Sequence, residues 1–182
     1  MSKDILTSNF FELFDLPISY DVDLTKIQQC YMQLQKQVHP DKFANASDRE
    51  KSLSMQQTSW INEAKTTLEN PVSRATYLLK LKGLDINLDN ETTMDAVFLM
   101  QQLEMREHLE NIMNEADPLA TLDAMAGDVK NTMKKMMDSF SKSYDADQLD
   151  DAREWIRKLQ FLQKAKKEID TLTADVEHEL MS

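Results

Sequence analysis

Two glycines, four prolines and a single cysteine in 182 residues are too few for most β-rich, loop-rich or disulfide-stapled designs. One cysteine excludes an intramolecular disulfide framework and points to a reducing compartment. No stretch nears the ~18 apolar residues of a membrane span. The opening Met1-Ser2-Lys3-Asp4-Ile5 leads into no apolar signal-peptide core, and Asp4 and Glu12 count against an acid-poor transit peptide. A cytoplasmic protein is therefore expected.

Positive charge is also scarce. The formal net charge is −11, and it is unevenly placed: residues 1–82 carry ten basic and ten acidic side chains, residues 83–182 eleven and twenty-two. An acidic chain lacks the basic face that nucleic acid or an anionic membrane surface needs, so neither is expected as a partner. His39, His108 and His178 are far apart, and no CxxC or HExxH spacing occurs. With no glycine-rich phosphate loop either, no metal and no cofactor is expected in this chain.

What is abundant is Met, Leu, Gln, Lys, Glu and Ala, the composition of an all-α protein long enough for one domain or two small ones. Ser8 or Asn9 can cap a short aromatic helix with Phe10, Phe11, Leu13 and Phe14, ended by Pro17 and placed as a lid on the core of the later helices. Asp23 caps the next helix, whose stripe is Leu24, Ile27, Tyr31, Leu34 and Val38. Cys30 lies beside that stripe and has no evident basic neighbour to make it reactive. Ser47-Asp48-Arg49-Glu50 fits a capping box and starts a long helix with inner positions Leu53, Gln57, Trp60, Ile61, Ala64 and Leu68. Asn70-Pro71 reads as a new cap with proline at the first helical position, starting a short helix through Leu78, Leu79 and Leu81 that Gly83 ends.

Residues 83–92 lack a helical period and connect residues 1–82 to 93–182. Leu84, Ile86 and Leu88 alternate, so the connector either packs or flexes. Beyond it the spacing predicts three helices in a bundle. The first runs from about Thr93 to Glu115, with Met94, Phe98, Met105, Leu109, Ile112 and Ala116 facing inward. The second starts at Asp117-Pro118 and carries Leu119, Leu122, Ala126, Val129, Met133, Met136 and Phe140; the third, from near Gln148, carries Ala152, Ile156, Leu159, Leu162, Ile169, Leu172 and Val176.

Two places go beyond a core. Pro40 has no amide hydrogen and drives its predecessor out of the α region, so His39 and Asp41 stand at a bend. An imidazole and a carboxylate so placed could serve a partner protein, a metal or a proton transfer, or be an ordinary helix–loop corner. The second place is on the 93–115 helix. Leu99, Met100 and Leu103, with Glu104 and Glu107, point away from its inward stripe. Phe161 likewise falls off the inward line of the last helix. Either that helix is central and covered on both sides, or these side chains meet a partner; methionine suits the second use.

His39-Pro40-Asp41-Lys42-Phe43 between two antiparallel helical patterns, with Ile61-Asn62-Glu63-Ala64 and Asn70-Pro71-Val72-Ser73-Arg74-Ala75-Thr76-Tyr77 after it, resembles a J-domain. With Tyr77-Leu78-Leu79 and Phe98-Leu99-Met100-Gln101-Gln102-Leu103-Glu104, the chain is similar over nearly its whole length to the HscB-type co-chaperones of bacterial iron–sulfur cluster assembly. That resemblance implies an N-terminal J-domain joined to a C-terminal three-helix bundle, and a protein that is not itself an enzyme. It implies that His39, Pro40, Asp41 and Lys42, with Lys26 and Lys36 on the preceding helix, engage and stimulate an HscA/DnaK-type heat-shock ATPase. It implies that Leu99, Met100, Leu103, Glu104, Arg106, Glu107 and Phe161 bind an IscU-type iron–sulfur scaffold protein. The helix before His39 is richer in glutamine than the basic face J-domains present there, so the electrostatic share of docking is expected to be either weak or narrowly selective. An unfolded or unrelated polypeptide client remains the alternative to the scaffold, and acid–base catalysis by His39 and Asp41 a remote third reading.

Overall fold

The computed structural model describes residues 4–43, 46–87 and 91–181, and among these every regular element is helical. The chain divides into two compact units, Met1–Lys82 and Gly83–Ser182.

In the first unit, helix α1 (Phe10–Leu13) begins at Asn9. The Glu12 amide donates to the Asn9 side chain at 2.9 Å, and the Asn9 amide donates back to the Glu12 carboxylate at 3.0 Å. The Phe10 ring stacks on Tyr77 at 4.3 Å and meets the edge of Trp60 at 5.0 Å, so aromatic contacts staple α1 to the helices that carry those two residues. Helix α2 (Leu24–Val38) starts where the Asp23 carboxylate accepts the Thr25 and Lys26 amides. Ile27 and Val38 are buried, whereas Leu24, placed by spacing in the same stripe, is 53% exposed. It is the first helical residue, with no preceding turn beside it.

Helix α3 (Asp48–Glu69) carries the expected Ser47–Glu50 capping box. Its inner stripe runs through Ser54, Ile61, Ala64 and Leu68; Leu53 is 45% exposed. Two helical turns, seven residues, before Ile61 comes Ser54, so Leu53 is one position out of phase. Helix α4 (Pro71–Leu81) comes directly after, its Val72 and Ser73 amides both donating to Asn70 at 3.0 Å. Gly83 then turns the chain at φ +83, a conformation that favours glycine.

Ile86 is buried and Leu84 partly so; Leu88, with which they alternate in sequence, lies outside the described residues, as do Ala44 and Asn45 of the α2–α3 loop. In the second unit, helix α5 (Ala96–Glu110) leads into a 3₁₀ turn at Ile112–Asn114, then helices α6 (Pro118–Asp145) and α7 (Leu149–Met181). α6 and α7 pair along much of their length, joined by a three-residue connection that makes them antiparallel. Phe140, Leu122, Ile156, Leu159 and Leu162 fill the space between them, each 1% exposed or less.

α5 is shorter than its sequence pattern. Asp95 caps it by accepting the Phe98 amide at 3.0 Å, and the chain leaves the α-helix at Asn111. Phe98 and Leu109 face inward as their spacing requires, and Ile112 is buried in the 3₁₀ turn beyond the helix. Met94 and Ala116 do not: both lie outside the helix, where a 100° step no longer applies, and Met94 is 85% exposed.

Candidate functional site

In the first unit the end of α2 displays the imidazole and carboxylate. His39 closes α2, and Pro40–Phe43 form a 3₁₀ turn in which the Lys42 amide donates to the His39 carbonyl at 3.0 Å. The Asp41 amide donates to His39 Nδ1 at 3.3 Å, and Nδ1 lies 3.6 Å from the Asp41 carboxylate. Both side chains stand in solvent, 52% and 92% exposed. The turn is held from below: buried Ser54 donates through Oγ to the Val38 carbonyl at 2.5 Å. A pair so open to water has no enclosing wall to tune it for proton transfer, but it is well placed for a macromolecular partner.

The cations flanking this corner are not equivalent. Lys36 and Lys42 are exposed. Lys26 is half-buried and donates Nζ to the Asp15 carbonyl at 2.5 Å, so its ammonium serves the fold. The rest of the outward face of α2 is neutral: Gln28, Gln29, Gln33 and Gln37, with Met32 51% exposed among them.

In the second unit α5 presents Met100 and Leu103 at 64% and 57% exposure, with Glu104, Arg106 and Glu107 also in solvent. Leu99, Leu103, Arg106 and Phe161 line a groove of about 500 Å³ between α5 and α7, closed by Met105, Leu109, Lys164, Ala165 and Glu168. The Phe161 ring meets buried Phe98 edge-on at 6.0 Å, which fixes it as one wall. Of the seven side chains expected there, the groove takes in four, Leu99, Leu103, Arg106 and Phe161, and Met100, Glu104 and Glu107 stand in solvent on α5.

Comparison with known proteins accords with this geometry. The family model described as the HSCB C-terminal oligomerisation domain matches residues 94–170. The co-chaperone protein HscB homolog of Shewanella halifaxensis is 45% identical over 168 residues, covering 88% of this chain and 94% of that protein. The chain belongs to the HscB co-chaperone family. Among solved structures, chaperone HscB from Vibrio cholerae superposes with a TM-score of 0.85 at 37% identity, over 93% of this chain and 99% of that one. Human co-chaperone protein HscB gives 0.82 at 33% identity, over 91% and 82%. As in that family, the first unit is a J-type domain, the second a helical bundle, and the protein is an adaptor with no catalytic activity of its own.

What fixes α5 in this HscB protein is not apparent in the sequence. Glu91 accepts from two α7 guanidinium groups: Arg153 through Nε at 2.8 Å and through its Nη2, and Arg157 through Nη2 at 2.9 Å. Hydrogen bonding from Arg153 foremost, and then Arg157, holds the Glu91 carboxyl down at about 2. Two residues on, the fully buried Thr93 hydroxyl donates to Glu154; two further, the Asp95 carboxylate accepts Lys158 Nζ at 2.7 Å, which lowers the Asp95 pKa. The available signal is the pairing of an alternating 91-93-95 set, as on a strand, with 153, 154, 157 and 158 on one helical face. No helix among the described residues is long and apolar enough to cross a membrane.

Proposed function

We propose that this protein stimulates the ATPase of an HscA/DnaK-type heat-shock chaperone and delivers an IscU-type iron–sulfur scaffold to it, in the cytoplasm, in support of iron–sulfur protein maturation. The observation that carries the reading is the presence, on one chain, of an exposed His39–Asp41 corner in a J-type unit and, in a second unit, of exposed Met100 and Leu103 beside a groove walled by half-buried Leu99 and Phe161. In this reading His39, Pro40, Asp41 and Lys42 act on the chaperone, with Lys36 supplying charge. Glu104, Arg106 and Glu107 edge the scaffold contact. Holding both partners on one adaptor raises their effective concentration for each other, so ATP hydrolysis is triggered with the client in place.

The deciding measurement is the steady-state ATPase rate of an HscA-type chaperone with this protein, with scaffold, and with both, beside His39→Gln. Synergy that disappears in His39→Gln is expected. Stimulation indifferent to scaffold overturns the scaffold assignment and favours another polypeptide client, for which the methionine-rich edge of α5 is also chemically suited. No stimulation overturns the chaperone assignment.

A further inference from the structure

Every large apolar side chain of the second unit that is well exposed, among those whose side chains are described, lies between Met94 and Met113, and none of these is on α6 or α7. Two of them, Met94 at 85% and Val97 at 70%, precede the Leu99–Glu107 edge and have no role in the function proposed. Their exposure is imposed by the fold. Thr93 and Asp95 both turn toward α7, to Glu154 and Lys158, so in this extended segment the side chain between them points the other way. Met94 is therefore held out by anchored neighbours on either side. At 100° per residue, Val97, Met100, Leu103, Glu104 and Glu107 all lie within about 60° of one line on α5.

The face so formed is polarised. Its N-terminal half is apolar and its C-terminal half acidic, with Glu104 and Glu107; Arg106, which pairs with Glu110 at 3.3 Å, lies off this face and does not neutralise it. The complementary surface is an apolar patch with basic side chains along one edge. We propose that the scaffold-docking face extends N-terminally to Met94 and Val97, whose side chains become buried against that apolar patch. This rests on the assignment of Leu99, Leu103 and Phe161 to the scaffold.

Titration calorimetry of an IscU-type scaffold against the full chain tests it, with four forms compared: wild type, Met94→Ser with Val97→Ser, Leu103→Ala, and Met113→Ser. Both substituted residues of the double variant are solvent-exposed, so its melting temperature should match wild type. Its affinity should fall about tenfold or more, as expected for losing burial of two apolar side chains, while Met113→Ser binds normally. Loss in Leu103→Ala with none in the double variant overturns the extension and leaves the scaffold assignment standing. Equal loss in Met113→Ser overturns it too, since position would not matter. No change in either Leu103→Ala or the double variant overturns the scaffold assignment and the extension together. Self-association that vanishes in the double variant, with scaffold affinity intact, gives the face to a second copy of this chain and also overturns the proposal.

Discussion

Ser54, buried in α3, donates its hydroxyl to the Val38 carbonyl at 2.5 Å, one residue before His39. This bond ties the long helix of the J-type unit to the point at which α2 stops. The carbonyl's other contact, Thr58 Oγ1 at 3.5 Å, is at the limit of hydrogen bonding. Ser54→Ala should therefore destabilise the chain by about 1–3 kcal/mol through a buried acceptor left poorly paired. Chemical denaturation measures this, and a change below about 0.3 kcal/mol would show that the bond contributes nothing net.

The two lysines on α2 should separate by readout. Lys26→Ala removes a bond to the Asp15 carbonyl and should lower stability by about 1 kcal/mol while leaving chaperone stimulation near wild type. Lys36→Ala, on an exposed side chain, should do the reverse and weaken half-maximal stimulation a few-fold. Because the face between them is glutamine and methionine, stimulation should also vary only weakly with salt; a steep salt slope in the ATPase titration would contradict this.

Glu91 sets a pH dependence. Its folded-state pKa, about 2, is below the ordinary 4.5, so the stability it contributes is present above pH 4.5 and is lost as pH falls toward 2. Asp95, lowered by Lys158, acts in the same direction. Urea unfolding of the full chain between those limits should show a shallower pH dependence in Glu91→Gln than in wild type. Identical slopes would remove Glu91 from the linkage.

The two units should be separable by mutation. His39→Gln should abolish ATPase stimulation and leave scaffold affinity unchanged. Leu99→Ala with Leu103→Ala should cost at least about tenfold in scaffold affinity and leave scaffold-independent stimulation intact. Loss of both activities in either variant, with the fold shown intact by circular dichroism, would contradict two independent sites.

The all-α class, the caps at Asp23, Ser47, Asn70 and Asp117, and the bend at His39 are legible in the sequence because each depends on neighbours a few residues apart, whereas the choice of Asn9 over Ser8 as the first cap came from the structure. Most inward positions of α6 and α7 are legible as well, since long helices keep their phase, although Leu119, Ala126, Met136 and Leu172 on those stripes are only half-buried. Spacing misleads where helices end: Leu24, Met94 and Ala116 fall on stripes whose helical phase does not extend to them.

Other features depend on residues distant in sequence. Nothing near Lys26 predicts that its ammonium goes to a carbonyl eleven residues earlier. Glu91 meets Arg153 and Arg157 across more than sixty residues, as Thr93 meets Glu154 and Asp95 meets Lys158. The sequence by itself determined which helices form and which faces are apolar, because backbone propensity and periodicity are local. Only the tertiary structure decided which cations remain free and which apolar side chains stay in solvent, because burial and pairing depend on which segments the fold brings together.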